Sequence, residues 1–155
     1  MTQIVPYSLH NSLGYQVSRT ARLLERGFET ELRRIGLTRL SWCTLLAVEN
    51  EGLRHPSDIA EFIGIDRTAT SRALKGMEEA GLISREKEPK TNGGDGRSKL
   101  ISVTVKGKDL LRIGTEAARA NADKFEAKLS ESQLEEFLAL LLCLQQDEGS
   151  ELSHI

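Results

Sequence analysis

Arg67, Thr68, Thr70, Ser71, Arg72 and Lys75 place short hydroxyls and long cations on one short stretch of chain. These types suit non-covalent recognition of a nucleic acid. Short side chains allow close approach to a groove, and the cations and hydroxyls donate to phosphates and base edges. A second set, Lys90, Asp95, Arg97 and Lys99, lies in a polar stretch rich in glycine. An arginine there can enter a narrow minor groove. Asp95, two residues earlier, can hold the guanidinium through a charge-assisted hydrogen bond. Taken alone, the first set would read as the solvated face of an ordinary helix. The basic loop behind it tips the reading towards DNA.

The elements that must position these residues follow from local pattern. Residues 56–64 read as a short helix, broken at Gly64-Ile65-Asp66. Residues 67–81 read as a second helix, with Asp66 as its N-cap and Gly81 just past its end. Ala69, Ala73, Leu74, Met77 and Ala80 recur at helical spacing and form its apolar face. Ile59, Ala60 and Ile63 of the first helix are expected to pack on that face. Leu82-Ile83 and residues 100–105 alternate as two short strands, and residues 89–99 form the loop between them. Helix, turn, helix, strand, long loop, strand is the order of a winged helix-turn-helix.

The flanks read as helices. Over residues 8–35, Leu13, Val17, Ala21, Leu24, Phe28, Leu32 and Ile35 step by threes and fours, a seam that packs on another helix. Gly36 ends it, and Thr38 or Ser41 caps the next helix. Leu53-Arg54-His55 can supply a very short strand. After Gly107 the chain turns helical again to about Leu129. Ser130 and Gln133 match a capping box for a last helix. Leu140, Leu141 and Leu142 cover more than one face of it, so burial from a second subunit is expected. The fold class is therefore mainly α with a small β wing. The divisions are a dimerisation helix at 1–36, a DNA-binding lobe at 37–107, dimerisation helices at 108–147 and a flexible tail at 148–155.

The bulk numbers agree with a soluble protein. The 155 residues are 39% hydrophobic and 28% charged, and aromatics make up only 5%, so the core must be mainly aliphatic. No apolar run is long enough to span a membrane, and the first residues do not match a secretion signal. Cytoplasmic location is expected. The net charge of −2 is unevenly spread. Between residues 66 and 108 there are ten cations and six anions, so this segment carries +4 and the remainder −6. A basic module on an acidic frame steers DNA to one face. Cys43 and Cys143 read as buried thiols, not as a disulfide. His10, His55 and His154 show no metal-ligand spacing, there is no phosphate-binding loop before a helix, and no catalytic constellation is present. Neither enzyme activity nor a cofactor is expected.

The chain resembles the MarR family of bacterial transcription regulators. The resemblance rests on Asp58-Ile-Ala, Asp66-Arg-Thr-Ala-Thr-Ser-Arg, Glu78-Glu-Ala-Gly-Leu-Ile, Asp95-Gly-Arg-Ser-Lys and Val103-Thr-Val-Lys-Gly, and it extends over nearly the whole chain. One departure is a loop from Glu86 to Asp95 a few residues longer than the usual family wing. The resemblance implies a homodimeric, ligand-responsive repressor bound to a pseudo-palindromic operator. It also implies an effector cavity between the DNA-reading lobe and the helices leading to the dimer. Tyr7, His10, Tyr15, Arg19 and Trp42 are the candidate contacts there, and rings with a cation suit an aromatic acid or phenolic effector. Two other readings are a thiol-based redox sensor using Cys43 or Cys143, and a winged-helix protein-interaction module.

Overall fold

Four helices begin at a side chain that accepts hydrogen bonds from their own first turn: Thr38, Asp66, Thr104 and Ser130. Each satisfies backbone N–H groups that the helix itself cannot. Thr38 with Ser41, and Ser130 with Gln133, form reciprocal capping boxes. The computed structural model describes residues 7–87 and 99–146. In chain order they form a 3-10 turn at Leu9–Asn11, α1 (Leu13–Arg34), α2 (Arg39–Glu49), α3 (Pro56–Ile63), α4 (Arg67–Glu79), β1 (Ile83–Lys87), β2 (Lys99–Val103), α5 (Val105–Glu126) and α6 (Glu131–Leu144). The strands pair antiparallel, with Ile83 opposite Val103 and Lys87 opposite Lys99. The fold is mainly helical with a two-stranded wing, as the pattern of the sequence predicts.

The core lies between α1, α2, α3, α4, α5 and the root of the wing. It joins Phe28 and Leu32 of α1 to Leu45 and Val48 of α2, Ile59 of α3, Leu74 and Met77 of α4, Leu82, Ile83, Ile101 and Leu111. Trp42 packs on its edge, with its ring 4.9 Å from that of Phe28 in an edge-to-face contact. Such a pair adds about 0.5–1.5 kcal/mol beyond the area it buries. Helices α1 and α5 approach closely. Asn121 Nδ2 donates to the Leu24 carbonyl at 2.9 Å, and a Cβ at Gly27 would lie 2.7 Å from Asn121 Oδ1.

Several local expectations change. The helix expected from residue 8 breaks at Ser12, which is extended and separates the 3-10 turn from α1. Leu53-Arg54-His55 forms no strand. Its role is taken by one backbone bond, Ile101 N–H to the Arg54 carbonyl at 2.9 Å. The Arg54 side chain adds two more, to the Ile101 carbonyl at 3.2 Å and to Ser102 Oγ at 2.7 Å. Gly107 is not a break but lies in the first turn of α5, where its N–H donates to Thr104 Oγ1 at 3.1 Å. Its glycine identity answers a tertiary contact, because a Cβ there would stand 2.2 Å from the Leu82 carbonyl oxygen. Ala80, expected on the apolar face of α4, is exposed at the helix end. Cys43 is half-buried, whereas Cys143 is exposed instead of buried. The tail at 148–155 lies outside the described residues. No described helix is long and apolar enough to cross a membrane.

Candidate nucleic-acid interface

The turn between α3 and α4 sets the angle of the reading helix. Gly64 ends α3 in the left-handed conformation, with φ of 75°. Gly64 N–H and Ile65 N–H both return to the Ala60 carbonyl, at 3.0 and 3.1 Å. This closure favours glycine because other residues meet a Cβ clash at positive φ. The chain then reverses directly into Asp66, whose Oδ1 accepts from Thr68 N–H and Ala69 N–H, both at 2.8 Å. These backbone bonds hold the Asp66 carboxyl below its ordinary pKa, with a further contribution from the Arg72 charge.

Helix α4 has two distinct faces. Thr70, Leu74 and Met77 are buried. Arg67, Thr68, Ser71, Arg72 and Lys75 are exposed. Thr70, predicted from sequence as a contact residue, is only 2% exposed, and its Oγ1 donates to the Asp66 carbonyl at 2.9 Å. It holds the first turn from inside and has no access to a ligand. Arg67 and Arg72 make no ion pair with any described residue. Lys75 lies 3.8 Å from Glu79, with both side chains largely exposed. Such a pair is weak and readily exchanged for a phosphate.

The far end of α4 is held by neighbouring elements. Arg85 Nε, on β1, lies 3.0 Å from Glu78 Oε2 but outside hydrogen-bonding alignment, so the pair is a charge contact. Lys106 Nζ donates to the Ala80 carbonyl at 2.8 Å, and Thr104 Oγ1 to the Gly81 carbonyl at 2.7 Å. The first turn of α5 therefore grips the end of the reading helix.

At the wing, Lys99 is exposed at the start of β2. Lys90, Asp95 and Arg97 lie outside the described residues. The register brings in a residue that the sequence reading missed. Lys87 stands directly opposite Lys99, and both are exposed. Like charges in register repel, and an anion between them relieves the repulsion. Only the strand pairing could have revealed this, since the two lysines are separated by the whole loop.

Residues 35–98 match the family model described as "MarR family". The transcriptional regulator SlyA shares 25% identity over 92% of this chain and 97% of its own, with a TM-score of 0.79. Residues 35–98 are a MarR-family segment. PcaV of Streptomyces coelicolor, solved with its natural ligand, has the same fold, with a TM-score of 0.81 at 19% identity over 94% of this chain and 99% of its own. A cysteine-to-serine variant of E. coli MarR, solved with operator DNA, gives 0.76 at 16% identity over 85% and 92%. The MarR-type chain described here is a sequence-specific DNA-binding transcription regulator with a winged helix-turn-helix.

The predicted effector residues are not all brought together. Tyr7 is 81% exposed, His10 and Arg19 are exposed, and Tyr15 is half-buried. His10 and Tyr15 touch edge to face at 4.9 Å. Trp42 lies elsewhere. Its contact, Phe28, is 13 residues beyond Tyr15 on the same helix, a rise of about 20 Å. The Trp42 N–H is satisfied by Thr115 Oγ1 at 3.3 Å, and its ring covers Gly114, where a Cβ would meet Cδ1 at 2.8 Å. Trp42 is thus a core-edge residue, not part of that cluster. Cys43 is also unsuited to thiolate chemistry, because burial pushes its pKa up more than the Arg39 charge lowers it. No group of three or more His, Cys, Asp or Glu that could hold a metal occurs among the described residues.

Proposed function

We propose that this MarR-type protein is a cytoplasmic homodimeric repressor that acts by binding alone. Each subunit would place α4 in a major groove of a pseudo-palindromic operator, with half-sites one helical turn, or roughly 34 Å, apart. The observation that carries the reading is the divided face of α4: Arg67, Thr68, Ser71, Arg72 and Lys75 are exposed over a buried row of Thr70, Leu74 and Met77. Arg72 reaches base edges, and Lys75 neutralises phosphate. Lys90, Asp95, Arg97 and Lys99, with Lys87 added from the strand register, serve the flanking minor groove and its phosphates.

Two further features support the quaternary and effector parts. Leu13 and Val17 of α1, and Phe137, Leu138, Leu140, Leu142 and Leu144 of α6, are exposed apolar side chains at the two ends of the described chain. A second copy would cover them. Solved proteins of this fold are recorded with small organic ligands: PcaV with its natural ligand, an organohalide-sensing regulator with 2,4-dichlorophenol, and CouR with p-coumaroyl-CoA. A small aromatic acid or phenol is accordingly proposed as the effector, with Tyr7, His10, Tyr15 and Arg19 as contacts. It would act by favouring a separation of the two α4 helices that mismatches the groove.

The experiment is binding of the parent, Arg72→Ala and Lys75→Ala to a library of DNA sites at two salt concentrations. Arg72→Ala should cost about 1–3 kcal/mol and relax base preference at one symmetric pair of positions. Lys75→Ala should weaken all sequences alike and flatten the salt slope by roughly one unit per subunit. Unchanged affinity and preference in both variants would remove α4 from the groove.

A further inference from the structure

A cleft of about 330 Å³ opens between the C-terminal end of α2 and one face of α5. Glu49 borders it on one side, and Lys108, Arg112, Thr115, Glu116 and Arg119 on the other. The α5 residues recur at spacings of three and four, so they share one face of the helix. No residue of α1 lines the cleft, which separates it from the His10–Tyr15 cluster. Its charged groups are three cations and two carboxylates, a surplus of one positive charge.

The charges are arranged for exchange. Lys108 Nζ lies 2.6 Å from Glu49 Oε1, and Arg112 Nη1 lies 2.9 Å from Glu116 Oε1. Both pairs are substantially exposed, so each is worth little and yields to a better partner. Arg119 has no ion pair with any described residue. Between them, Thr115 is fixed: its Oγ1 accepts from Trp42 Nε1 and donates to the Leu111 carbonyl at 2.8 Å. The cleft therefore offers movable cations over a set floor.

We propose that this cleft binds a compact, non-aromatic organic anion with two acidic groups, one held by Arg112 and Arg119 and the other by Lys108. A guanidinium fork matches the geometry of an oxyanion and can bind it through two parallel bonds. The volume sits at the low end of ligand sites, about 300–1,000 Å³, which favours a small molecule. Five of its eight lining residues are charged, so an ionic ligand is favoured over an uncharged ring. Lys108 follows Gly107 and Lys106, the residues that contact Leu82 and Ala80 at the end of α4. Drawing Lys108 away from Glu49 therefore acts on the same helical turn that holds the reading helix.

The test is calorimetry on the full-length protein without DNA, so its failure leaves the DNA-reading proposal untouched. The probes are succinate and citrate, pyrophosphate, and benzoate as the aromatic control, all at matched ionic strength. At least one dianionic probe should bind with a Kd of about 1 mM or tighter. Arg119→Ala should weaken it about ten- to a hundredfold with an unchanged melting temperature, and Arg112→Ala with Arg119→Ala should abolish it. Binding of the carboxylates without pyrophosphate, or the reverse, identifies the acidic group. The proposal is overturned if no dianion binds, if benzoate binds equally well, or if Arg119→Ala and the double variant bind like the parent.

Discussion

Helix α2 spans 11 residues and buries Ser41, Thr44, Leu45, Ala47 and Val48, whereas α6 spans 14 residues, is richer in leucine and buries none. The contrast is not one of hydrophobicity. Helix α2 is enclosed by α1, α3, α4, α5 and the wing, so even its hydroxyls go inside. There Thr44 Oγ1 finds the Leu40 carbonyl at 2.8 Å, and Ser41 Oγ finds the Thr38 carbonyl at 2.9 Å. Helix α6 meets its own chain along an open apolar groove of about 710 Å³, where Leu24, Phe125, Leu134, Phe137, Leu138 and Leu141 gather. One region is enclosed by its own chain, and the other has its apolar side chains exposed among the described residues.

The strongest way to break this comparison is to charge the uncovered face. Leu138→Lys with Leu141→Lys should cost several kcal/mol of association, because both ammonium groups would be buried on dimerisation. Light scattering should then give a monomer for the variant and a dimer for the parent. A parent that is already monomeric at micromolar concentration would mean that α6 is simply an exposed helix.

A smaller effect should follow in the enclosed region. Gly107→Ala drives a Cβ against the Leu82 carbonyl and Val103 Cγ1. Overpacking of this kind costs about 1–3 kcal/mol. Urea unfolding should show it at every protein concentration, whereas the α6 variant should change the concentration dependence itself. A Gly107→Ala protein as stable as the parent would show that the α5 turn can shift off Leu82.

Asp66→Ala should have the smallest effect and sharpen the contrast by its pH dependence. The folded carboxyl has a lowered pKa, so its contribution is present above the ordinary aspartate value of about 3.9 and is lost as pH falls through the lower folded value. Melting temperatures of parent and variant should therefore differ at neutral pH and converge in strong acid. An equal gap at all pH values would assign the effect to helix propensity and not to the cap.

What could be read in the sequence was mostly local. Thr38, Asp66 and Ser130 act on N–H groups two or three residues away, and Gly64 acts on its own φ angle, so residue type and spacing sufficed. Thr70 could not be placed that way. Its position on the helical wheel is marginal, and the choice between inside and outside was made by α3 and by the Asp66 carbonyl. Gly107 looks like punctuation in a linear reading because the Leu82 oxygen that demands it comes from 25 positions earlier. Trp42 and Tyr15 share aromatic chemistry, but helical rise separates them. Lys87 needed the strand register. The Glu49–Lys108 cleft needed two helices distant in sequence.

The grip of α5 on the end of α4 has a mechanical consequence. A 22-residue helix is a shaft about 33 Å long, so a tilt of about 5° at one end displaces the other by about 3 Å. Thr104, Lys106 and Gly107 bolt the reading helix to that shaft, leaving little slack at the joint. Small angular changes far from the DNA-facing side thus arrive at α4 magnified as translation, and in the proposed dimer the spacing between the two α4 helices would be set by an angle.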